Sequence, residues 1–219
     1  MLIGKQAKSL SRNYWISYIP FMENNYQYLD PEEKYSNSKG VLHNLANIQD
    51  ERVLVAFESF KVTKRLEELY SIKFHIKDSS ALLDIHKHLF QDVYDWAGQV
   101  RTVNISKDGK PFFDGEFFSN AFKFINSLII EYYQIDENKV KEVTQKLAEI
   151  LDTINFLHPF REGNGRTQRE FLRILTLEKG FRLNLNPPDN KDVYDRYMKG
   201  TIGSDVSILQ ALIFELIIE

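Results

Sequence analysis

Apolar positions recur at steps of three and four along most of the chain, which is the period of helices packed on one face. The spacing predicts a helix over 50–69, capped by Asp50, with Val53, Leu54, Phe57, Phe60, Leu66 and Leu69 on its inner stripe. A short apolar turn at Val41, Leu42 and Leu45 precedes it. Asp78-Ser79-Ser80 opens a second helix through Leu82, Leu83, Ile85, His86, Leu89, Phe90 and Val93. Residues 116–133 carry an aromatic stripe (Phe117, Phe118, Ala121, Phe122, Ile125, Leu128, Ile129), which reads as core. The helix of 138–156 carries a near-continuous apolar stretch (Leu147, Ile150, Leu151, Ile154, Phe156) that predicts a central, buried helix. Three more follow: 167–179, stopped by Gly180; one capped by Asp189 or Asn190 and running through Tyr197; and a last one from Ser204-Asp205 through Ile208, Leu212, Phe214 and Leu216.

Two stretches break the helical period. Val100, Val103 and Ile105 have strand composition, and Asp108-Gly109 is a hairpin turn signal, with Pro111 confining the return strand to an edge. A hairpin alone is marginal in water, so this one has to lean on the helices. Residues 1–37 hold Tyr14, Trp15, Tyr18, Phe21, Tyr26, Tyr28 and Tyr35 with breakers Pro20 and Pro31, and no period persists. The plainer reading is an irregular arm pinned by its aromatics; the sharper one is a partner-binding arm. The architecture is all-α with one hairpin.

Composition narrows the classes. At 219 residues, 43% hydrophobic and 27% charged, the chain fits one globular domain with a small extension. The net charge of −3 carries no basic footprint for nucleic acid, so DNA is not an expected partner. The absence of cysteine excludes disulfides and thiolate chemistry. No apolar run reaches ~18 residues and the first residues lack a signal-peptide core, so the reading is cytoplasmic, with no membrane partner. His86 and His88, two apart, cannot share a helix face and do not suggest a metal pair.

The chemistry is concentrated between two of the predicted helices, in Leu157-His158-Pro159-Phe160-Arg161-Glu162-Gly163-Asn164-Gly165-Arg166-Thr167-Gln168-Arg169. A Gly-Asn-Gly turn opening a helix offers successive backbone N–H groups and the positive helix end to an anion. Arg166 and Arg169, three apart, add planar donor forks suited to phosphate. A histidine beside such a cradle suits removal of a proton from a hydroxyl that attacks phosphorus. Glu162 would be repelled by a polyphosphate unless a cation lies between, which makes it a Mg²⁺ ligand in the reading. The bland alternative is a helix–turn–helix with a surface salt bridge.

At these residues the sequence resembles the Fic family, whose signature is H-x-F-x-[DE]-G-N-[GK]-R-x-x-R. His158, Phe160, Glu162, Gly163, Asn164, Gly165, Arg166 and Arg169 match its fixed positions. The segment Tyr94-Asp95-Trp96-Ala97-Gly98-Gln99-Val100-Arg101, followed by Asn104-Ile105-Ser106-Lys107, is similar to the family's approach to its β-hairpin flap. The resemblance implies an all-α Fic (fido) domain of about eight helices with one flap, over 38–219, the flap at about 102–113 and the motif at 158–169. It implies protein AMPylation. His158 is the general base that lets a target Ser, Thr or Tyr hydroxyl attack the α-phosphorus of ATP, releasing pyrophosphate. Phe160 anchors the loop, and Glu162 holds Mg²⁺. Gly163, Asn164 and Gly165 form the nest, Asn164 also contacting phosphate, and Arg166 and Arg169 bind the β- and γ-phosphates. Ile105, Ser106, Lys107, Asp108, Gly109, Lys110, Pro111, Phe112 and Phe113 form the flap that docks the target protein by strand addition, with Phe112 and Phe113 clamping its side chain.

Gly165 stands where Doc-like kinases carry Lys, which favours nucleotidyl transfer over phosphorylation. Phosphocholine transfer and a non-catalytic nucleotide-binding module remain the alternatives. Many members silence themselves with a helix bearing [ST]-x-x-x-E-[GN]. Thr63 to Glu68 and Ser127 to Tyr132 come near that pattern without fitting it. The resemblance then points to a separate small antitoxin supplying the inhibitory Glu, or to an effector delivered into a host cell with more chain after the apolar end at 209–219.

Overall fold

The computed structural model describes residues 26–28, 33–107, 110–185 and 190–218. The expected turn at Asp108-Gly109, the breaker Pro187-Pro188-Asp189, and the arm's Tyr14, Trp15, Tyr18 and Phe21 lie outside the described residues. Along the chain come β1 (Tyr26–Tyr28), α1 (Glu51–Ser71), α2 (Ser80–Phe90), β2 (Ile105–Lys107) and β3 (Lys110–Pro111). A 3-10 turn (Gly115–Phe117) leads into α3 (Phe118–Gln134), followed by α4 (Val140–Leu157), α5 (Asn164–Glu178), α6 (Lys191–Gly203) and α7 (Val206–Leu216). The expected helical domain of about eight helices is therefore seen as seven α-helices and a 3-10 turn among the described residues.

The central helix is α4, as its near-continuous apolar run predicts. Leu147, Ile150, Leu151 and Ile154 are buried, and α3, α5 and α7 pack around it. On the other side, α2 lies between α1 and α5. The caps follow local chemistry: Asp50, Asn190 and Asp205 each accept a bond from a first-turn N–H, those of Val53, Val193 and Ile208. No helix among the described residues is long and apolar enough to cross a membrane.

Several elements differ from the sequence expectation. The inner face of α1 is Leu54, Glu58, Val62, Leu66 and Leu69, while the expected Val53 and Phe60 are exposed. The helix is turned because a carboxylate on that face, Glu58, is drawn inward to two polar partners described below. Phe117, Phe156 and Phe214 are also exposed rather than buried. Helix α6 does not stop near Tyr197 but continues to Gly203. Gly200 lies so close to Leu209 that a Cβ would stand 2.5 Å from Leu209 Cδ2, so α7 can pack directly on the extended helix.

The hairpin is part of a three-stranded sheet ordered β1-β2-β3. β1, from the stretch without sequence periodicity, pairs antiparallel with β2 in the register Tyr26 with Lys107, Gln27 with Ser106, and Tyr28 with Ile105. Behind it, Tyr35 is buried, with its ring edge on Trp96 and its hydroxyl accepting from Thr102 N–H at 3.1 Å. Tyr35 is one of the seven arm aromatics singled out above, and these contacts join it to the segment that leads into β2.

Candidate active site

The site is built where α4 ends. His158 is the C-cap, with φ +44°, a conformation that costs a non-glycine residue about 1 kcal/mol or more. That turn brings the chain out of the core, and Phe160 drops back in, stacked on the buried His86 ring at 3.8 Å. The loop is then tied by its own asparagine. Asn164 Oδ1 accepts from Phe160 N–H at 2.9 Å, and its Nδ2 donates to Phe160 C=O at 2.8 Å. Both ends of that amide thus bond the loop's own backbone.

Gly163 closes the turn at φ +83°, and a Cβ there would lie 2.3 Å from the Phe90 ring. Its carbonyl takes the Thr167 N–H, so α5 begins at Asn164, one turn earlier than the apolar pattern suggests. The earlier start places Asn164, Gly165 and Arg166 in the first turn, whose N–H groups have no acceptor within the helix. These N–H groups stand at a positive helix end, an arrangement suited to an anion.

Each charged side chain of the motif has a defined setting. Arg166 donates to Glu58 at 2.6 Å and to Glu162 at 3.3 Å, and lies 4.7 Å over the Phe90 ring. Burial works against its charge, but the two carboxylates more than offset that and hold its pKa above the ordinary arginine value. Glu58 also accepts the Tyr94 hydroxyl, whose pKa burial and the carboxylate push up. Glu162 Oε1 receives the Gly163 N–H at 2.9 Å. Arg169 rests 5.6 Å over the ring of Tyr197, and the Tyr197 hydroxyl in turn bonds Gln168.

His158 is 7% exposed. Its Nδ1 faces the Asn155 carbonyl at 3.3 Å. A carbonyl accepts only, so Nδ1 is the donor in this contact. Phe112 of the flap stacks on the His158 ring at 3.9 Å. The sequence-predicted motif residues and one flap aromatic are thus brought together. Phe113 instead packs edge-on against Phe156, and Asp108 and Gly109 lie outside the described residues.

Three supporting residues carry no motif signal. Arg101 is 2% exposed and donates from Nε to His158 C=O, from Nη1 to Val103 C=O and from Nη2 to Phe113 C=O, while its own N–H reaches Pro159 C=O. Burial lowers its pKa to about 10. His86 accepts from Gly98 N–H on Nδ1 and therefore donates from Nε2 to the Glu162 carbonyl. Burial holds it neutral, its pKa lowered to about 3. Glu58 lies about a hundred residues from Arg166 in the chain, so no local pattern could pair them. Arg101 and Gly98 do fall in the segment resembling the family's approach to the flap, which was the available hint.

A divalent cation would find one carboxylate here, Glu162, since Glu58 is taken up by Arg166 and Tyr94. No cluster of three or more potential ligands occurs among the described residues. That donor set fits Mg²⁺ arriving with a polyphosphate that supplies its remaining oxygens.

The fold and the loop together define a helical domain with an anion cradle beside a histidine at the end of its central helix. Residues 77–176 match the Fic/DOC family. The chain is 34% identical over 178 residues to a probable protein adenylyltransferase, y4lH, of Sinorhizobium fredii, covering 81% of this chain and 91% of that protein. It is 32% identical over 187 residues to protein adenylyltransferase VbhT of Bartonella schoenbuchensis, covering 85% of this chain but 38% of that longer protein. The chain belongs to the Fic/DOC family. In fold it is similar to the FIC domain of Bep8 from Bartonella sp. 1-1C, with TM-score 0.74, 21% identity and coverage of 84% and 94%. It is also similar to BepC of Bartonella tribocorum, a VirB-translocated effector solved with bound AMPPNP, with TM-score 0.71, 18% identity and coverage of 85% and 97%.

Proposed function

We propose that this chain transfers AMP from ATP to a Ser, Thr or Tyr hydroxyl of a target protein. Relatives named protein adenylyltransferase over most of the chain support the reaction class. The observation that carries the reading is the placement of His158, whose Nδ1 proton is held by Asn155 and whose loop runs directly into the first turn of α5.

In the reaction Nε2 takes the proton of the attacking hydroxyl. A new O–P bond forms at the α-phosphorus, the bond from that phosphorus to the bridging oxygen breaks, and pyrophosphate leaves. Proton transfer of this kind contributes ~10²–10⁴ in rate. The α5 N–H groups, Arg166 and Arg169 bind the phosphates and stabilise the charge that develops on the leaving group. Glu162 is the residue that would hold Mg²⁺, which when bound offsets phosphate charge. Gly165 in place of Lys supports transfer of AMP rather than of a γ-phosphate. The flap from Ile105 to Phe113 docks the target by main-chain strand addition. A separate protein supplying a glutamate to Arg169 is the proposed source of inhibition.

The test is labelling from α-³²P-ATP. His158→Ala is expected to lower transfer at least ~10²-fold while ATP binding by calorimetry survives. Equal labelling by the two proteins would overturn the assignment. A target mass gain of one phosphate instead of AMP would point to the Doc-like reaction.

A further inference from the structure

Strand addition needs an edge with unpaired N–H and C=O groups, and the two edges of the flap hairpin are not equivalent. Phe112 N–H bonds Ile105 C=O at 3.0 Å, so the polar groups of Ile105 and Phe112 face one another. By alternation, those of Pro111 and Phe113 face the outer side of β3 and those of Ser106 face the outer side of β2.

The outer side of β3 is closed. Pro111 has no N–H to offer. Phe113 N–H is taken by Phe156 C=O at 3.2 Å, and Phe113 C=O is taken by Arg101. At most the Pro111 carbonyl is left there among the described residues. The competent edge is that of β2, with both polar groups of Ser106 directed outward.

That edge is filled. β1 lies on it antiparallel with Gln27 opposite Ser106, which makes Gln27 and Ser106 the hydrogen-bonded pair of the register. The strand is delivered by a short tether. Tyr35, seven residues beyond Tyr28, is buried behind the flap with its ring on Trp96 and its hydroxyl at Thr102. An intramolecular strand on such a tether competes at an effective concentration of about millimolar.

We infer that β1 is a cis occupant of the flap's one competent edge, so that a target segment docks antiparallel on Ser106 only in place of β1. The inference rests on the transferase reading for what docks, and on the sheet alone for where. The partner it fits is an extended polypeptide segment offering one residue with a free N–H and C=O opposite Ser106. Transfer to a protein target then includes release of the arm, separately from nucleotide binding at α5.

Gln27→Pro in the full chain tests it, because proline removes the N–H that Gln27 gives to Ser106. Two quantities are read: hydrogen exchange at the Ser106 amide by NMR, and transfer of label from α-³²P-ATP with Mg²⁺ to lysate proteins. Ser106 exchange is expected to become about tenfold faster or more, from the loss of the paired bonds. Transfer is expected to rise several-fold with ATP affinity unchanged. An excess of a synthetic peptide of residues 22–32 should slow Ser106 exchange again and suppress the gain, which also shows that the variant is folded. Equal Ser106 exchange in both chains would overturn the pairing. Faster exchange with unchanged transfer would overturn the occupant role and leave the transferase reading standing. No transfer from either chain, with ATP bound, would overturn the transferase reading and the occupant role together.

Discussion

At the scale of single residues, the site depends on backbone conformations that side chains resist. His158 sits at φ +44° and Gly163 at φ +83°, and between them the chain reverses from α4 into α5. At Gly163 the missing side chain is a steric necessity, because the Phe90 ring fills the space where Cβ would be. Gly163→Ala is expected to lower stability by ~2–4 kcal/mol, combining left-handed strain with overpacking against a buried ring. Urea unfolding measures this, and a loss below 1 kcal/mol would show that the Phe90 ring gives way freely. His158 keeps its unfavourable conformation because Arg101 holds its carbonyl and α4 holds its N–H. The motif histidine, glutamate and arginines were legible as a set because their chemistry is local. Arg101 was not, since an arginine in a strand-like stretch has no pattern that says its three carbonyl partners come from the loop, its own segment and the flap.

At the scale of elements, the flap and the motif loop are tied together with Arg101 as the joint. Its guanidinium satisfies carbonyls of His158, Val103 and Phe113, and its backbone reaches Pro159. Arg101→Ala leaves those buried carbonyls unpaired, at ~1–3 kcal/mol each for the groups that water does not reach. The expected result is at least ~10-fold lower turnover with a higher KM for the protein target, while ATP affinity stays within about twofold because the α5 cradle is untouched. Arg101→Lys keeps the charge but not the fork and should recover only part of the loss. Steady-state kinetics and calorimetry check both. Loss of ATP affinity in parallel would mean that Arg101 holds the cradle as well. The hairpin was predicted from Asp108-Gly109 and strand composition, but its third strand was not. Tyr26-Gln27-Tyr28 is too short to show a period, and its partner lies near residue 106.

At the scale of the whole molecule, the core holds a titratable group that ties stability to pH. His86 is wedged between Phe160 and Phe90, and burial, with the charge of Arg166 adding to it, lowers its pKa to about 3 from an ordinary 6.5. The unfolded chain binds a proton near 6.5 and the folded chain does not. Stability is therefore full above 6.5 and is lost as pH falls from 6.5 toward 3, by up to about 1.4 kcal/mol per unit. Urea midpoints at pH 7 and pH 5 should differ accordingly, and His86→Gln should flatten that slope. An unchanged slope in the variant would assign the acid sensitivity to other groups.

By itself the sequence determined the helices, because a 3.6-residue apolar period, caps such as Asp50 and breakers such as Gly180 act within a few residues. It determined the make-up of the loop for the same reason, with histidine, carboxylate, glycines and arginines all inside residues 158–169. Tertiary structure alone decided which faces turned inward: Glu58 rotates α1 toward Arg166, and Gly200 lets α6 run on beneath α7. It also decided what supports the loop and borders the flap, since Arg101, His86 and β1 act through partners a dozen to some eighty residues away. Such contacts are set by packing and by the pairing of buried polar groups, which no local pattern along the chain encodes.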